Sequence, residues 1–121
     1  MKICITARGD NLGSYVDSRF GRCQNFLIVD TETMEFETVK NPNMDISGGA
    51  GIQSGQLMAD KGVKAVITGN VGPNAFQTLS AAGVDVITGA SGVIRDVVDK
   101  YKNGLLKSTA GPSVDSKFGT K

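Results

Sequence analysis

Three short apolar runs in this chain end alike: Ile5-Thr6-Ala7, Ile67-Thr68-Gly69 and Ile87-Thr88-Gly89. The last two belong to a near-repeat, Gly62-Val63-Lys64-Ala65-Val66-Ile67-Thr68-Gly69 against Gly83-Val84-Asp85-Val86-Ile87-Thr88-Gly89. Each reads as a helix-ending glycine, a brief β-branched strand and a turn into the next helix. Pro73 suits a first helical position, and Ala75, Phe76, Leu79 and Ala82 then form an apolar stripe that stops at Gly83. Val93, Ile94, Val97, Val98 and Tyr101 form a second stripe, ending near Gly104. A helix over residues 51–61 is a weaker pattern, because Gly51 and Gly55 each cost roughly 1 kcal/mol against alanine. Leu57, Met58 and Ala59 nevertheless lead to a cap at Gly62. Strands alternating with helices predict a parallel sheet with right-handed crossovers.

The first third of the chain follows another pattern. Phe26-Leu27-Ile28-Val29 is a continuous apolar strand suited to a sheet interior. Asp30-Thr31-Glu32-Thr33 is a turn, and Met34 to Val39 carries Glu35 and Glu37 on one face, as a protected edge strand does. These two strands predict an antiparallel hairpin. Residues 8–22 show no helical period, so the Phe26 strand most simply runs antiparallel to the first. That topology brings Cys23, the strand ends at Thr6, Thr68 and Thr88, and the loop from Asn41 to Gly51 to one rim. Open α/β sheets bind ligands at such an edge, where the direction of connection switches.

At 121 residues the chain is long enough for one domain with its own core, expected over 1–105 and followed by a mobile, polar tail over 106–121. A net charge of +1 leaves no bulk field to recruit nucleic acid or an anionic membrane, so any basic function is local. No membrane-spanning run or signal peptide precedes the first strand, and Cys4 and Cys23 form no CxxC pair. Reduced thiols and a cytoplasmic location are expected.

Chemistry concentrates in Arg19-Phe20-Gly21-Arg22-Cys23, where two guanidiniums, a permissive glycine and a thiol share one loop. Guanidiniums offer fixed forks of donors to anions, and a thiol beside them is biased toward a thiolate, a soft-metal ligand. Gly48-Gly49-Ala50-Gly51 opens a helix and can direct backbone amides at an anion. It is neither a phosphate-binding Walker loop nor a dinucleotide fingerprint, and its glycines also suit simple tight packing. Gly69-Asn70-Val71-Gly72-Pro73-Asn74 is a second such loop, in which Asn70 or Asn74 either meets a ligand or caps the helix. Gly89-Ala90-Ser91-Gly92 is a third, with Ser91 as the cap. Cys4 reads as a buried small hydrophobe, and Cys23 as either a metal ligand or a half-buried packing residue. Arg19 and Arg22 either contact an anion or pair with Asp10, Asp17 or Asp45.

Conventional catalysis finds no footing. The chain has no histidine, which removes Ser-His-Asp and Cys-His arrangements, and its acidic residues are scattered. The pattern is that of a binding protein, not an enzyme. A phosphate or nucleotide module and a protein–protein adaptor use the same glycine-rich rim and stand as alternatives.

The chain resembles the dinitrogenase iron–molybdenum cofactor biosynthesis family, which includes NifX-like proteins, the C-terminal domain of NifB and the small orange proteins. The matching residues run in order: Met1-Lys2-Ile3, Val16-Asp17-Ser18-Arg19-Phe20-Gly21-Arg22, Phe26-Leu27-Ile28-Val29-Asp30, Gly48-Gly49-Ala50-Gly51-Ile52-Gln53, Ala59-Asp60-Lys61-Gly62-Val63 and Gly69-Asn70-Val71-Gly72-Pro73-Asn74-Ala75-Phe76. The resemblance implies a ribonuclease-H-like motif: three layers, α/β/α, around a mixed five-stranded sheet with one antiparallel strand. It also implies reversible carriage of an anionic metal–sulfur cluster, either an iron–molybdenum cofactor precursor or a molybdenum–copper sulfide, with cluster-donor or acceptor proteins as partners. Many members have histidine where this chain has Arg19, and arginine, always protonated, cannot ligate a metal. What remains is outer-sphere capture by Arg19, Arg22 and backbone amides, with Cys23 as the one candidate metal ligand.

Overall fold

The computed structural model describes residues 1–42 and 49–112. Five strands, β1 (Lys2–Ala7), β2 (Asn25–Asp30), β3 (Phe36–Lys40), β4 (Ala65–Ile67) and β5 (Asp85–Ile87), alternate in the second half with helices α1 (Ala50–Asp60), α2 (Pro73–Ala81) and α3 (Ile94–Lys102). They form one sheet in the order β3-β2-β1-β4-β5. β2 is antiparallel to both β1 and β3, while β4 is parallel to β1 and to β5. The expected mixed sheet with one reversed strand is therefore what forms.

Alternation along the strands divides the core into two layers. Ile3, Ile5, Leu27, Val29, Ala65, Ile67 and Ile87 pack with Ile94, Val97 and Val98 of α3. Cys4, Phe26, Ile28, Val66 and Val86 turn the other way and pack with Met58 of α1 and Ala75 and Leu79 of α2. Both faces of the central strands are covered, which is why they read as unbroken apolar runs.

Several details depart from the sequence reading. The edge strand begins at Phe36, not Met34. Met34 takes a left-handed φ of 63° inside the reversal that Asp30 closes, with Asp30 N–H donating to Glu35 O at 2.9 Å. Ala82 is exposed because α2 ends at Ala81, so that stripe stops at Leu79. The proximal part of the polar tail lies on the sheet: Leu106 packs against the α3-side core, and Thr109 N–H bonds Val86 O while its hydroxyl accepts from Thr88 N–H at 3.0 Å.

The glycines that weaken the pattern of α1 serve its packing. A Cβ on Gly55 would lie 2.8 Å from Thr78 Cγ2, and one on Gly51 would lie 3.0 Å from Ala75 Cβ, so α1 and α2 approach more closely than alanines would permit. One buried polar atom in this layer is unmatched. Ser54 Oγ is fully enclosed and makes no hydrogen bond. Removing a desolvated hydroxyl at no packing cost stabilises a fold, and alanine is also the better helix former. Ser54→Ala is expected to raise stability by about 1 kcal/mol, read as a higher melting temperature.

Candidate anion site at the carboxyl edge of the sheet

The strands β1, β4 and β5 end at one rim, and the loops that leave them are tied together by backbone contacts. Residues 8–22 cross that rim without helix. Arg8 N–H donates to Tyr15 O at 3.0 Å, and Asp17 N–H to Thr6 O at 2.9 Å. The Thr6 hydroxyl donates to Asp17 O and lies 2.8 Å from the Thr68 hydroxyl, a buried polar joint between the first and fourth strands.

From this joint the arginine turn reaches two glycine loops. Arg19 forms a parallel bridge with Asn70, Phe20 N–H donates to Asn70 O at 3.1 Å, and Asn70 Nδ2 donates to Ser18 O at 3.3 Å. Gly69 allows this approach, since a Cβ there would fall 2.7 Å from Ser18 Cα. Gly21, at a φ of +92°, faces the start of α1, where a Cβ would meet Gly51 N and Cα at 3.3 Å. Arg19-Phe20-Gly21-Arg22-Cys23, Gly49-Ala50-Gly51 and Gly69 to Asn74 thus adjoin one another; Gly48 lies outside the described residues.

The three helix N-termini near the rim differ in how their amides are used. At α3 the chain itself closes the end: Ile94 N–H donates to Ser14 O and Arg95 N–H to Leu12 O, both at 2.9 Å. The expected Ser91 cap is absent, because Val93 occupies the N-cap and backbone carbonyls already supply the acceptors. Gly49 and Gly72 are the N-caps of α1 and α2 and carry no capping side chain. The N-cap of α2 is Gly72 rather than Asn70 or Asn74; Asn70 Nδ2 donates to Ser18 O, and Asn74 lies inside the first turn. The first intrahelical donors are Gln53, to Gly49 O, and Phe76, to Gly72 O. The amides of Ala50, Gly51, Ile52, Asn74 and Ala75 precede them and have no intrahelical acceptor, while Pro73 has no N–H to offer.

The charged groups are arranged unevenly. Arg19 keeps 41% of its side chain exposed, with Nε 3.7 Å from Asp17 Oδ1. Asp17 is only 5% exposed, and its Oδ1 also accepts the Arg19 N–H at 3.1 Å. Arg22 is half-buried on the same turn. Of the acidic partners weighed for Arg19, Asp17 is the one found among the described residues; Asp45 lies outside them.

Cys23 departs from expectation. It is fully buried rather than half-buried, packed in the α1/α2-side core with Cys4, Phe20 and Phe26. Burial pushes its thiol well above the usual range, the Asp17 charge adds to this, and Arg19 opposes it more weakly. Burial, and then Cys23 itself, raises Cys4 likewise. Without a metal the thiol is neutral and serves as a packing group; ligation would require its thiolate. Among the described residues no three ligating side chains come together.

These two thiols give the fold an alkaline weakness. Below about pH 8.5 both folded and unfolded chains hold the protons; above it only the unfolded chain releases them. Stability is therefore expected to fall as pH rises through that value, measured as a declining urea midpoint, with a shallower decline in Cys23→Ala.

Asn41 is the residue that sequence reasoning passed over as part of a loop. It is 3% exposed and donates from Nδ2 to Gly21 O at 3.0 Å and Cys23 O at 2.9 Å. Its only local signal was an amide directly before Pro42 at the end of the edge strand.

The sequence pattern described as Dinitrogenase iron-molybdenum cofactor matches residues 1–104, nearly all of the chain and the whole of the packed sheet and helices. This chain belongs to the dinitrogenase iron–molybdenum cofactor family. An uncharacterized protein of Methanocaldococcus jannaschii is 31% identical over 110 residues, covering 88% of this chain and 90% of that one. The apo form of the orange protein from Desulfovibrio gigas superposes with a TM-score of 0.90 at 41% identity, covering 93% of this chain and 96% of that one. A Thermotoga protein described as a candidate NifB protein, solved by NMR, gives a TM-score of 0.78 at 36% identity, with 93% and 98% covered. Within this family's fold, no helix among the described residues is long and apolar enough to cross a membrane.

Proposed function

We propose that this chain is a non-catalytic, cytoplasmic carrier of an anionic metal–sulfur cluster. The cargo is an iron–molybdenum cofactor precursor or a molybdenum–copper sulfide, taken from a donor protein and passed to an acceptor. It is held at the rim by Arg19, Arg22 and the first-turn amides of α1 and α2. One observation carries the reading: among the described residues, the glycine N-caps of the two helix ends that adjoin the arginine turn supply no capping side chain, while the third end is closed by the chain's own carbonyls.

The chemistry of such a guest fits those donors. Terminal sulfides are large, soft, diffuse acceptors, and weakly hydrated guanidiniums and helix amides meet them at little desolvation cost. Hydrogen bonds involving a charged group contribute about 1.5–3 kcal/mol each, so four or five, less the cost of ordering, give useful and reversible affinity. Reversibility is what a carrier needs. The family assignment supports cluster handling, and a related orange protein solved in a form called apo supports a fold that takes up and releases a guest.

Anaerobic reconstitution tests this reading. Protein mixed with tetrathiomolybdate, with and without copper(I), or with an iron–sulfide donor, and then desalted, is expected to retain metal and sulfide with a charge-transfer absorption band. Colourless, metal-free protein from every mixture overturns it. Thermal stabilisation by nucleotides but not by thiomolybdate replaces it with a phosphate-binding role.

A further inference from the structure

We infer that Asn41 is the positioning residue for Arg22: its buried side-chain amide holds the carbonyls on either side of Arg22 and so sets the direction in which the arginine turn presents its donors. The inference rests on the rim being the anion site, and it adds a residue outside that rim which controls it.

The geometry is specific to a primary amide. Nδ2 carries two hydrogens, and two carbonyl oxygens lie at hydrogen-bond distance, Gly21 O at 3.0 Å and Cys23 O at 2.9 Å. Cys23 Sγ lies beyond them at 3.9 Å, closing the same small space. Asn41 is itself anchored, because its N–H donates to Gln24 O at 2.9 Å, one step past the last β2–β3 pair, Asn25 with Lys40. The edge hairpin thus delivers a rigid amide beneath the turn.

Holding those carbonyls has an electrostatic consequence. In a trans peptide the C=O and the following N–H point in opposite directions. With Gly21 O and Cys23 O drawn onto Asn41, the N–H groups of Arg22 and Gln24 face away from it. The negative ends of the turn's dipoles are buried against a donor, and the positive ends point away from it. Were the turn to relax, carbonyl oxygens would face an anion instead. Gly21 also abuts Gly51, so the same clamp fixes the spacing between the turn and the start of α1.

Few other side chains could do this. Aspartate places negative oxygens against two carbonyls, alanine leaves both carbonyls buried and unpaired, and serine offers one hydrogen where two are needed.

The test uses the full chain and two readouts. N-ethylmaleimide labelling, resolved by mass spectrometry, follows Cys23 with Cys4 as the internal control for global unfolding. Asn41→Ser and Asn41→Ala are expected to raise the Cys23 rate by about tenfold or more while Cys4 stays protected. Tetrathiomolybdate titration then gives a double-mutant cycle. Asn41→Ser is expected to weaken binding by about tenfold in the parent and in Arg19→Ala, and by distinctly less in Arg22→Ala, where only the turn's backbone dipoles remain to be misdirected.

Unchanged Cys23 labelling overturns the clamp. Raised labelling with equal affinity losses in both arginine backgrounds overturns the coupling to Arg22. If the parent binds no thiomolybdate, the carrier reading falls, and labelling alone decides whether Asn41 holds the turn: a raised Cys23 rate upholds that, and an unchanged one overturns it.

Discussion

Arg19→Ala combined with Arg22→Ala is expected to lower tetrathiomolybdate affinity by about two orders of magnitude, with the fold intact. On the proposed reading, each guanidinium would supply charge-assisted hydrogen bonds to sulfide worth about 1.5–3 kcal/mol, so the loss of both is expected to remove most of a reversible affinity. Arg19 is 41% exposed, and its pairing with Asp17 is long, at 3.7 Å from Nε. Asp17 is buried and loses a counter-charge, but the Arg19 N–H that its Oδ1 also accepts remains in the variant. Salt dependence separates the electrostatic cause from a general loosening. Affinity of the parent is expected to fall as ionic strength rises, and affinity of the double variant to respond much less. Isothermal titration across a salt series reads both. Arg19→Lys, which keeps the charge and loses the planar fork, is expected to fall between the two.

Gly69→Ala carries the largest expected effect on stability. The added Cβ would sit 2.7 Å from Ser18 Cα and 2.9 Å from Ser18 O, and both are backbone atoms. No side chain can rotate away, so the loops must separate. Overpacking of this kind costs about 2–3 kcal/mol, a fall in melting temperature of roughly 10 °C for a chain this size. Separation also draws Asn70 O away from Phe20 N–H, and Gly69 O away from Gly89 N–H, now 2.8 Å apart. Calorimetry on Gly69→Ala checks the first effect, and faster amide exchange at Phe20 checks the second. A melting temperature equal to that of the parent would contradict the close approach.

Much of this architecture could be read from local patterns. Apolar stripes and the glycines at 62, 83 and 104 placed α1, α2 and α3 to within a residue or two, because burial and helix termination are short-range signals. The absence of helical period over 8–22 sufficed to orient β2, since a reversed strand needs no crossover. The joining of the rim loops was legible only as topology. The contacts that achieve it, Gly69 on Ser18 and Gly21 on Gly51, depend on backbone conformations dozens of residues apart. Capping was misread for a related reason. Asn70, Asn74 and Ser91 have the right chemistry, but Leu12 and Ser14 carbonyls reach α3 from a distant loop, and no local motif announces them. Cys23 was placed at the correct edge yet given the wrong depth, because the cover over it includes Asn41 from the end of another strand.

The ribonuclease-H-like name that the resemblance implies adds nothing to the chemistry. Function follows the residues at the rim. There the chain offers positive dipoles and guanidiniums, with both thiols buried in the core.

The most direct measurement is an anaerobic 1H–15N NMR titration of the full chain with tetrathiomolybdate. Shift changes confined to Arg19–Arg22, the first turn of α1 and the first turn of α2, with the amides of Ile94 and Arg95 at the closed end of α3 unmoved, are expected. Changes centred on α3, or spread evenly over the surface, would show that these donors do not hold the guest.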